Sequence, residues 1–291
     1  MKRHEKASIS RKEFIARTGG IVAAGIASRH GSIGAATGMY RILGRTKLKV
    51  STIGYGTTET ENAGVLIKAL DSGVNFIDTG RMYVNGGNEV MIGKACESMR
   101  KELIIQTKFH RKHVNDSVAI EKSIDASLKA LRTDYIDIML LHAASAVNEI
   151  NSPAMRDAFA SAKEKGKIRF TGFSSHTNQI GTLKTAIDAG YFDVALLAYN
   201  HAGRFDHTKY KGFSQEWNQD ILEKEMRRAV KAGMGIIAMK TCSTGPYMEK
   251  GAEKATFPAG MKRVLQNPDV STMAVWMGNY REVEENMNIM G

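Results

Sequence analysis

Four side chains in the first half of the chain, Asp78, Tyr83, Lys108 and His142, are of the types that proton-coupled chemistry on a carbonyl needs. A tyrosine hydroxyl, with an ordinary pKa of about 10, is a poor acid or base at neutrality. An ammonium beside it stabilises the phenolate and brings that pKa down, which is the part Lys108 would play. Asp78 would pair with Lys108 and keep it charged, because a lone buried lysine surrenders its proton. His142 would then hydrogen-bond the oxygen of a substrate carbonyl. Further along stand Ser174-Ser175-His176, Asn200-His201 and Lys240, each again just past an apolar run. Any one of these is unremarkable, since loops are polar by default. Their recurrence after six of eight runs is not.

Two other chemistries compete for the same residues. His110, His142, His176 and His201 all fall near run ends, and imidazoles converging in one mouth bind zinc for hydrolysis. Against a metal, Tyr55 and Thr57 stand where a His-x-His would follow the first strand, and Arg111 and Lys112 bring cations beside the site. A non-catalytic barrel that only binds a nucleotide or a partner is the other alternative, since fold alone guarantees no activity.

The elements that must position these groups are short apolar runs at residues 52–56, 75–78, 103–107, 136–141, 170–173, 194–198, 235–239 and 273–277. Between them lie helical patterns. Residues 63–72 are apolar at Val65, Leu66, Ala69 and Leu70 and stop at Gly73; residues 117–131 repeat Ile120, Ile124, Leu128 and Leu131. Ser152-Pro153 opens residues 154–165 and Gly166 closes them, and residues 222–231 and 260–266 serve the later intervals. A short hairpin over residues 40–50, turning at Gly44-Arg45, precedes the first run. Eight strand-then-helix units predict an α/β fold of the (β/α)8 barrel type, with chemistry at the C-terminal strand ends. An open doubly wound sheet fits less well, because Gly54-Tyr55-Gly56-Thr57-Thr58-Glu59 lacks the third glycine of a dinucleotide turn.

The chain has 291 residues, 43% hydrophobic and 24% charged, enough to bury a full core. Two cysteines, Cys96 and Cys242, make no disulfide framework. No stretch of about 20 uninterrupted apolar residues provides a stable membrane span. The net charge of +11 divides unevenly: residues 1–38 carry +5 and residues 39–291 the remaining +6. Ser10-Arg11-Lys12-Glu13-Phe14-Ile15 followed by Gly19-Gly20-Ile21-Val22-Ala23-Ala24 resembles a twin-arginine export signal, with Lys12 in the second arginine's place. Residues 1–38 are therefore expected to be a signal-like or disordered basic leader, and residues 39–291 the barrel. The expected location is outside the cytoplasm, through export machinery, if the leader functions, and cytoplasmic otherwise. No basic aromatic stripe suggests nucleic acid. Met273, Met277, Met287 and Met290 are expected as core filler, and Trp217, within residues 204–219, either as a flap over the mouth or as packing at the barrel edge.

Asn75-Phe76-Ile77-Asp78-Thr79-Gly80-Arg81-Met82-Tyr83 with Asn88-Glu89-Val90-Met91-Ile92-Gly93 resembles the signature of the aldo/keto reductase family. Thr107-Lys108, Asp137-Ile138-Met139-Leu140-Leu141-His142 and Gly166-Lys167-Ile168-Arg169-Phe170-Thr171-Gly172-Phe173-Ser174-Ser175 resemble its next landmarks, in order. The resemblance implies a barrel closed at the bottom by the hairpin, and reduction of a small aldehyde or ketone with a nicotinamide cofactor. It implies Tyr83 as general acid, Lys108 and Asp78 as its tuning pair, and His142 as orienter of the carbonyl. Ser174, Ser175 and Asn200 would grip the nicotinamide carboxamide. Lys240, Thr241 and Ser243 lie in a stretch resembling the pyrophosphate-side loop, and Asn279, Arg281, Glu285 and Asn286 in one resembling the adenosine segment. NADP(H) is expected ahead of NAD(H), although Gly278 stands where a basic residue is common and Glu282 replaces a glutamine; separately, Met239 takes the place where many members stack a tyrosine on the nicotinamide.

Overall fold

The computed structural model describes residues 39–206, 214–242 and 257–289. The leader, Ser243, Met290 and the middle of the 204–219 segment lie outside the described residues. Twelve strands are described: β1 (Tyr40–Ile42), β2 (Lys49–Ser51), β3 (Ile53–Gly56), β4 (Phe76–Asp78), β5 (Ile104–His110), β6 (Ile136–His142), β7 (Ile168–Ser175), β8 (Val194–Ala198), β9 (Arg204–Asp206), β10 (Ser214–Glu216), β11 (Gly235–Met239) and β12 (Val270–Trp276). The described α-helices are α1 (Ala63–Asp71), α2 (Gly87–Cys96), α3 (Ser117–Leu131), α4 (Val147–Ile150), α5 (Pro153–Glu164), α6 (Gln179–Ala189), α7 (Gln219–Lys231), α8 (Phe257–Leu265) and α9 (Tyr280–Met287).

Strands β3 to β8, β11 and β12 are parallel and close into one barrel, with β12 returning onto β3. The expected (β/α)8 architecture is what the chain forms. Helix starts follow from capping chemistry: Asn62, Asp116, Ser152, Asn218 and Asn279 each accept backbone N–H groups of the helix they precede. Pro153 opens α5, as its fixed φ and missing donor favour.

Strand β5 shows how one run builds two surfaces. Alternate side chains face opposite sides of a strand. Leu103, Ile105 and Phe109 join the apolar layer between strands and helices, whereas Ile104 belongs to the barrel's own interior. Gln106, Lys108 and His110 continue the inward series toward the mouth. Interior packing is completed from below by the hairpin, whose Leu43, Leu48 and Val50 sit among Phe76, Ile138, Leu140, Val194 and Ile237. Gly44 makes that approach possible. Its φ is +51°, and a Cβ there would lie 2.4 Å from the Gly235 nitrogen.

Several element bounds differ from the sequence expectation. Strands β5 and β6 run on to His110 and His142, and β7 to Ser175. Lys108, His142, Ser174 and Ser175 are thus strand residues rather than loop residues after strands. The apolar pattern ends where the inward face turns polar, but the backbone ladder does not: Lys108 still pairs with Leu140, and His110 with His142. Helices α2 and α6 have no clean apolar stripe, because they bury Asn88 and Glu89, and Gln179 and Thr182. Trp217 packs against the core, its indole N–H donating to Gln219 Oε1 (2.8 Å).

Candidate active site

Lys108 is 1% exposed and spends its ammonium on three acceptors: Asp78 Oδ1 at 2.7 Å, the Thr79 carbonyl at 2.6 Å and Tyr83 Oη at 3.1 Å. A buried ammonium has three protons to satisfy, and here each has a partner. Burial opposes the charge, yet Asp78 and Tyr83 outweigh it, so the Lys108 pKa is raised and the ammonium persists. Gln106, two residues earlier on the same face of β5, donates its amide to Asp78 Oδ1 at 2.6 Å. It holds the carboxylate from below.

Tyr83 enters from the loop after β4. The Thr79 N–H donates to the Gln106 carbonyl, the Arg81 N–H to the Lys108 carbonyl at 3.1 Å, and the Tyr83 N–H to the Gly80 carbonyl at 2.9 Å. The loop therefore continues pairing with β5 while it lifts the phenol over the mouth. Val84 and Asn85 then take left-handed conformations, at φ 48° and 53°, before Gly86 at 88°. For a β-branched residue such as Val84 that conformation is strained.

His142 stands edge-on to Tyr83, their ring centres 5.7 Å apart. Burial, reinforced by the positive groups Lys108, His176, His110 and Lys240, depresses its pKa to about 3. It is a neutral imidazole at ordinary pH, able to donate one N–H without carrying a charge. Lys240, at the end of β11, lies with its ammonium 4.8 Å from the Phe205 ring centre, and burial lowers its pKa against the pull of Glu59. Among the described residues no group of three or more His, Cys, Asp and Glu side chains could hold a metal.

The residues expected to bind cofactor are spread along successive strand ends. Ser174, Ser175 and Asn200 are buried. Ser174 Oγ accepts from the Ala143 N–H, Ser175 Oγ meets the Ala144 and Thr177 carbonyls, and the Asn200 amide donates to the Arg204 and Lys240 carbonyls. In this structure they tie the mouth loops to the strand ends. Thr241 is buried beside Cys242. Across the rim, Asn279 caps α9, Asn286 is buried on its inner face, and Arg281 pairs with Glu285 in solvent. Glu282 accepts from the Gly278 N–H and the Asn279 amide. A Cβ at Gly278 would lie 2.5 Å from the ring of the half-exposed Trp276.

The set at the mouth fits a long polyanionic dinucleotide by its donor chemistry. Ser174, Ser175 and Asn200 supply hydroxyl and amide groups and Lys240 an ammonium, while at α9 Asn279 and Glu282 cap the helix and Arg281 is paired with Glu285. Sequence reasoning did not single out Gln106, and it named Arg81, Asn88 and Glu89 only within the signature stretch, without a role. The first had a usable signal, because it lies two residues before Lys108 and must share its face.

Residues 42–290 match the family described as the Aldo/keto reductase family. Among curated proteins, the chain is 28% identical to L-galactose dehydrogenase of Arabidopsis thaliana over 85% of this chain and 86% of that protein. It is 31% identical to the uncharacterized oxidoreductase YqkF of Bacillus subtilis, a match spanning 46% of this chain and 48% of that protein. Among solved structures, an aldo-keto reductase from Klebsiella pneumoniae in complex with NADPH superposes with a TM-score of 0.65 at 20% identity, covering 86% of this chain and 89% of that one.

Proposed function

The chain belongs to the aldo/keto reductase family of oxidoreductases, and from that premise we propose that it reduces an aldehyde or ketone with NADP(H), Tyr83 giving the proton. The observation that carries this reading is the Lys108 ammonium, locked to Asp78 at 2.7 Å and donating to Tyr83 Oη at 3.1 Å. Because Lys108 donates to that oxygen, the phenolic proton is left to point outward. The phenolate remaining after its transfer keeps a cation beside it in a site of low dielectric. His142, held neutral, donates an N–H to the carbonyl oxygen and sets the substrate opposite Tyr83. Asp78 and Gln106 keep Lys108 in place.

The cofactor, when bound, supplies the hydride. Ser174, Ser175 and Asn200 would hold its carboxamide end, Lys240 and Thr241 its phosphates, and Asn279, Arg281, Glu285 and Asn286 its adenosine end. NADP(H) is supported by the NADPH complex of the Klebsiella relative and by the exposed guanidinium of Arg281.

Purified protein mixed with NADPH, then NADH, and a panel of aldehydes and ketones should bind NADPH more tightly and consume it. Tyr83→Phe should lower kcat by about 100-fold or more with cofactor affinity nearly intact, as loss of a general acid requires. An unchanged kcat in that variant would refute the role of Tyr83. Cofactor binding with no turnover on any carbonyl would favour the non-catalytic scaffold, and tighter binding of NADH would reverse the cofactor assignment.

A further inference from the structure

We propose that Arg81 is a positioning residue for Tyr83: its ion pair with the buried Glu89 is the form around which the catalytic loop is wrapped. The proposal deepens the reading of Tyr83 as proton donor and rests on it.

Glu89, on α2, is fully buried, and both its oxygens are used. One accepts from Thr107 Oγ1 at 2.6 Å and the other from the Arg81 guanidinium. Thr107 faces outward from β5, the neighbour of inward-facing Lys108. The Arg81–Glu89–Thr107 chain therefore fastens the outer side of the loop to the strand that carries Lys108 on its inner side. Tyr83 lies between the two fastenings, with the Arg81 N–H on the Lys108 carbonyl and Lys108 Nζ on its own hydroxyl.

The turn after Tyr83 would not hold itself. Val84, Asn85 and Gly86 are left-handed in succession, and the first is β-branched. The Arg81 guanidinium fills the space where a side chain at position 86 would stand, since a Cβ there would lie 2.9 Å from Arg81 Nη2. Gly86 and Arg81 are thus complementary, one bare so that the other can sit beneath the turn. A well-packed apolar pair would stabilise the fold as well as a buried ion pair does. What the ion pair adds is direction: fixed hydrogen bonds that set the loop's path.

The test joins kinetics to loop order. Arg81→Met should lower kcat by about 10- to 100-fold, the cost of moving a reacting group by roughly 1 Å. The KM for carbonyl and the affinity for NADPH should change by no more than about twofold, since the loss falls on the transition state. In a Tyr83→Phe background Arg81→Met should cost almost nothing further; a loss as large as in the wild-type background overturns the proposal. Arg81→Lys, which keeps a cation under the turn, should recover most of the lost kcat, and failure to do so counts against an ion-pair role. Independently of turnover, hydrogen exchange at residues 79–87 should quicken in Arg81→Met while the barrel strands stay protected. Unchanged exchange there overturns the proposal even in a chain that reduces no carbonyl tried. Wild-type protein without turnover on any carbonyl would instead defeat the reading of the site itself.

Discussion

Lys108 and Asp78 depend on one another more than on anything else in the barrel. Replacing Lys108 with Met would leave a 5% exposed carboxylate with the Gln106 amide but without its cation. Breaking one side of a buried pair costs about 3–5 kcal/mol, and Lys108→Met should lower the thermal midpoint accordingly. The double variant Asp78→Asn/Lys108→Met should be less destabilised than the two single losses added together, because no buried charge is left over. His142 makes a different kind of statement. Its folded pKa is depressed to about 3 from an ordinary value of 6.5. Below pH 6.5 the unfolded chain takes up a proton that the folded one refuses, so stability from this group is complete above pH 6.5 and is lost as pH falls toward 3. Denaturant midpoints at pH 7 and pH 4 should differ less in His142→Gln than in wild type. Parallel losses would show that His142 is not buried in its neutral form. For the same reason no limb of the kcat profile between about pH 5 and 8 should disappear in that variant.

At the level of elements, the two ends of the barrel do separate work. The hairpin plugs the bottom, with Leu43 and Val50 fully buried and the Arg45 N–H donating to the Gly233 carbonyl. Gly44→Ala would force both a side chain into backbone and an L-residue into φ +51°. We expect a loss of about 2 kcal/mol or more in stability, read from thermal melts, and an unchanged kcat below the melting transition, since the mouth lies at the other end. A fall in kcat without a fall in stability would mean that the bottom plug communicates with the mouth. The apolar runs were legible because strands buried on both faces are continuously hydrophobic. Their upper ends were not, because the same strands become polar inside while their ladders continue. Helix α2 was illegible for a related reason: its buried positions include Asn88 and Glu89, whose partners Thr79, Thr57, Arg81 and Thr107 come from three other segments.

Across the whole molecule the charge has two origins. Residues 39–291 retain +6, consistent with a mouth carrying Lys108 and Lys240, and the leader carries +5. We propose that residues 1–38 act as an export signal for a folded protein. Fused to a reporter that functions only after twin-arginine export, they should confer activity outside the cytoplasm, and substituting Arg11 and Lys12 with Gln should abolish it. A reporter retained inside with the native leader would refute export. No helix among the described residues is long and apolar enough to cross a membrane.

The sequence by itself determined the barrel, since eight apolar runs separated by helical stretches leave few other ways to bury both faces of a parallel sheet. It also determined the chemical parts: a tyrosine, a lysine, a carboxylate and an imidazole at strand ends are visible without coordinates. Only the tertiary structure decided how those parts are held. The support of Asp78 by Gln106, the neutral state of His142 and the seating of Arg81 beneath the Tyr83 turn arise from burial and from contacts between segments far apart in sequence. Hydrogen bonds and ion pairs act over a few ångströms, and local pattern carries no measure of which distant groups will come that close.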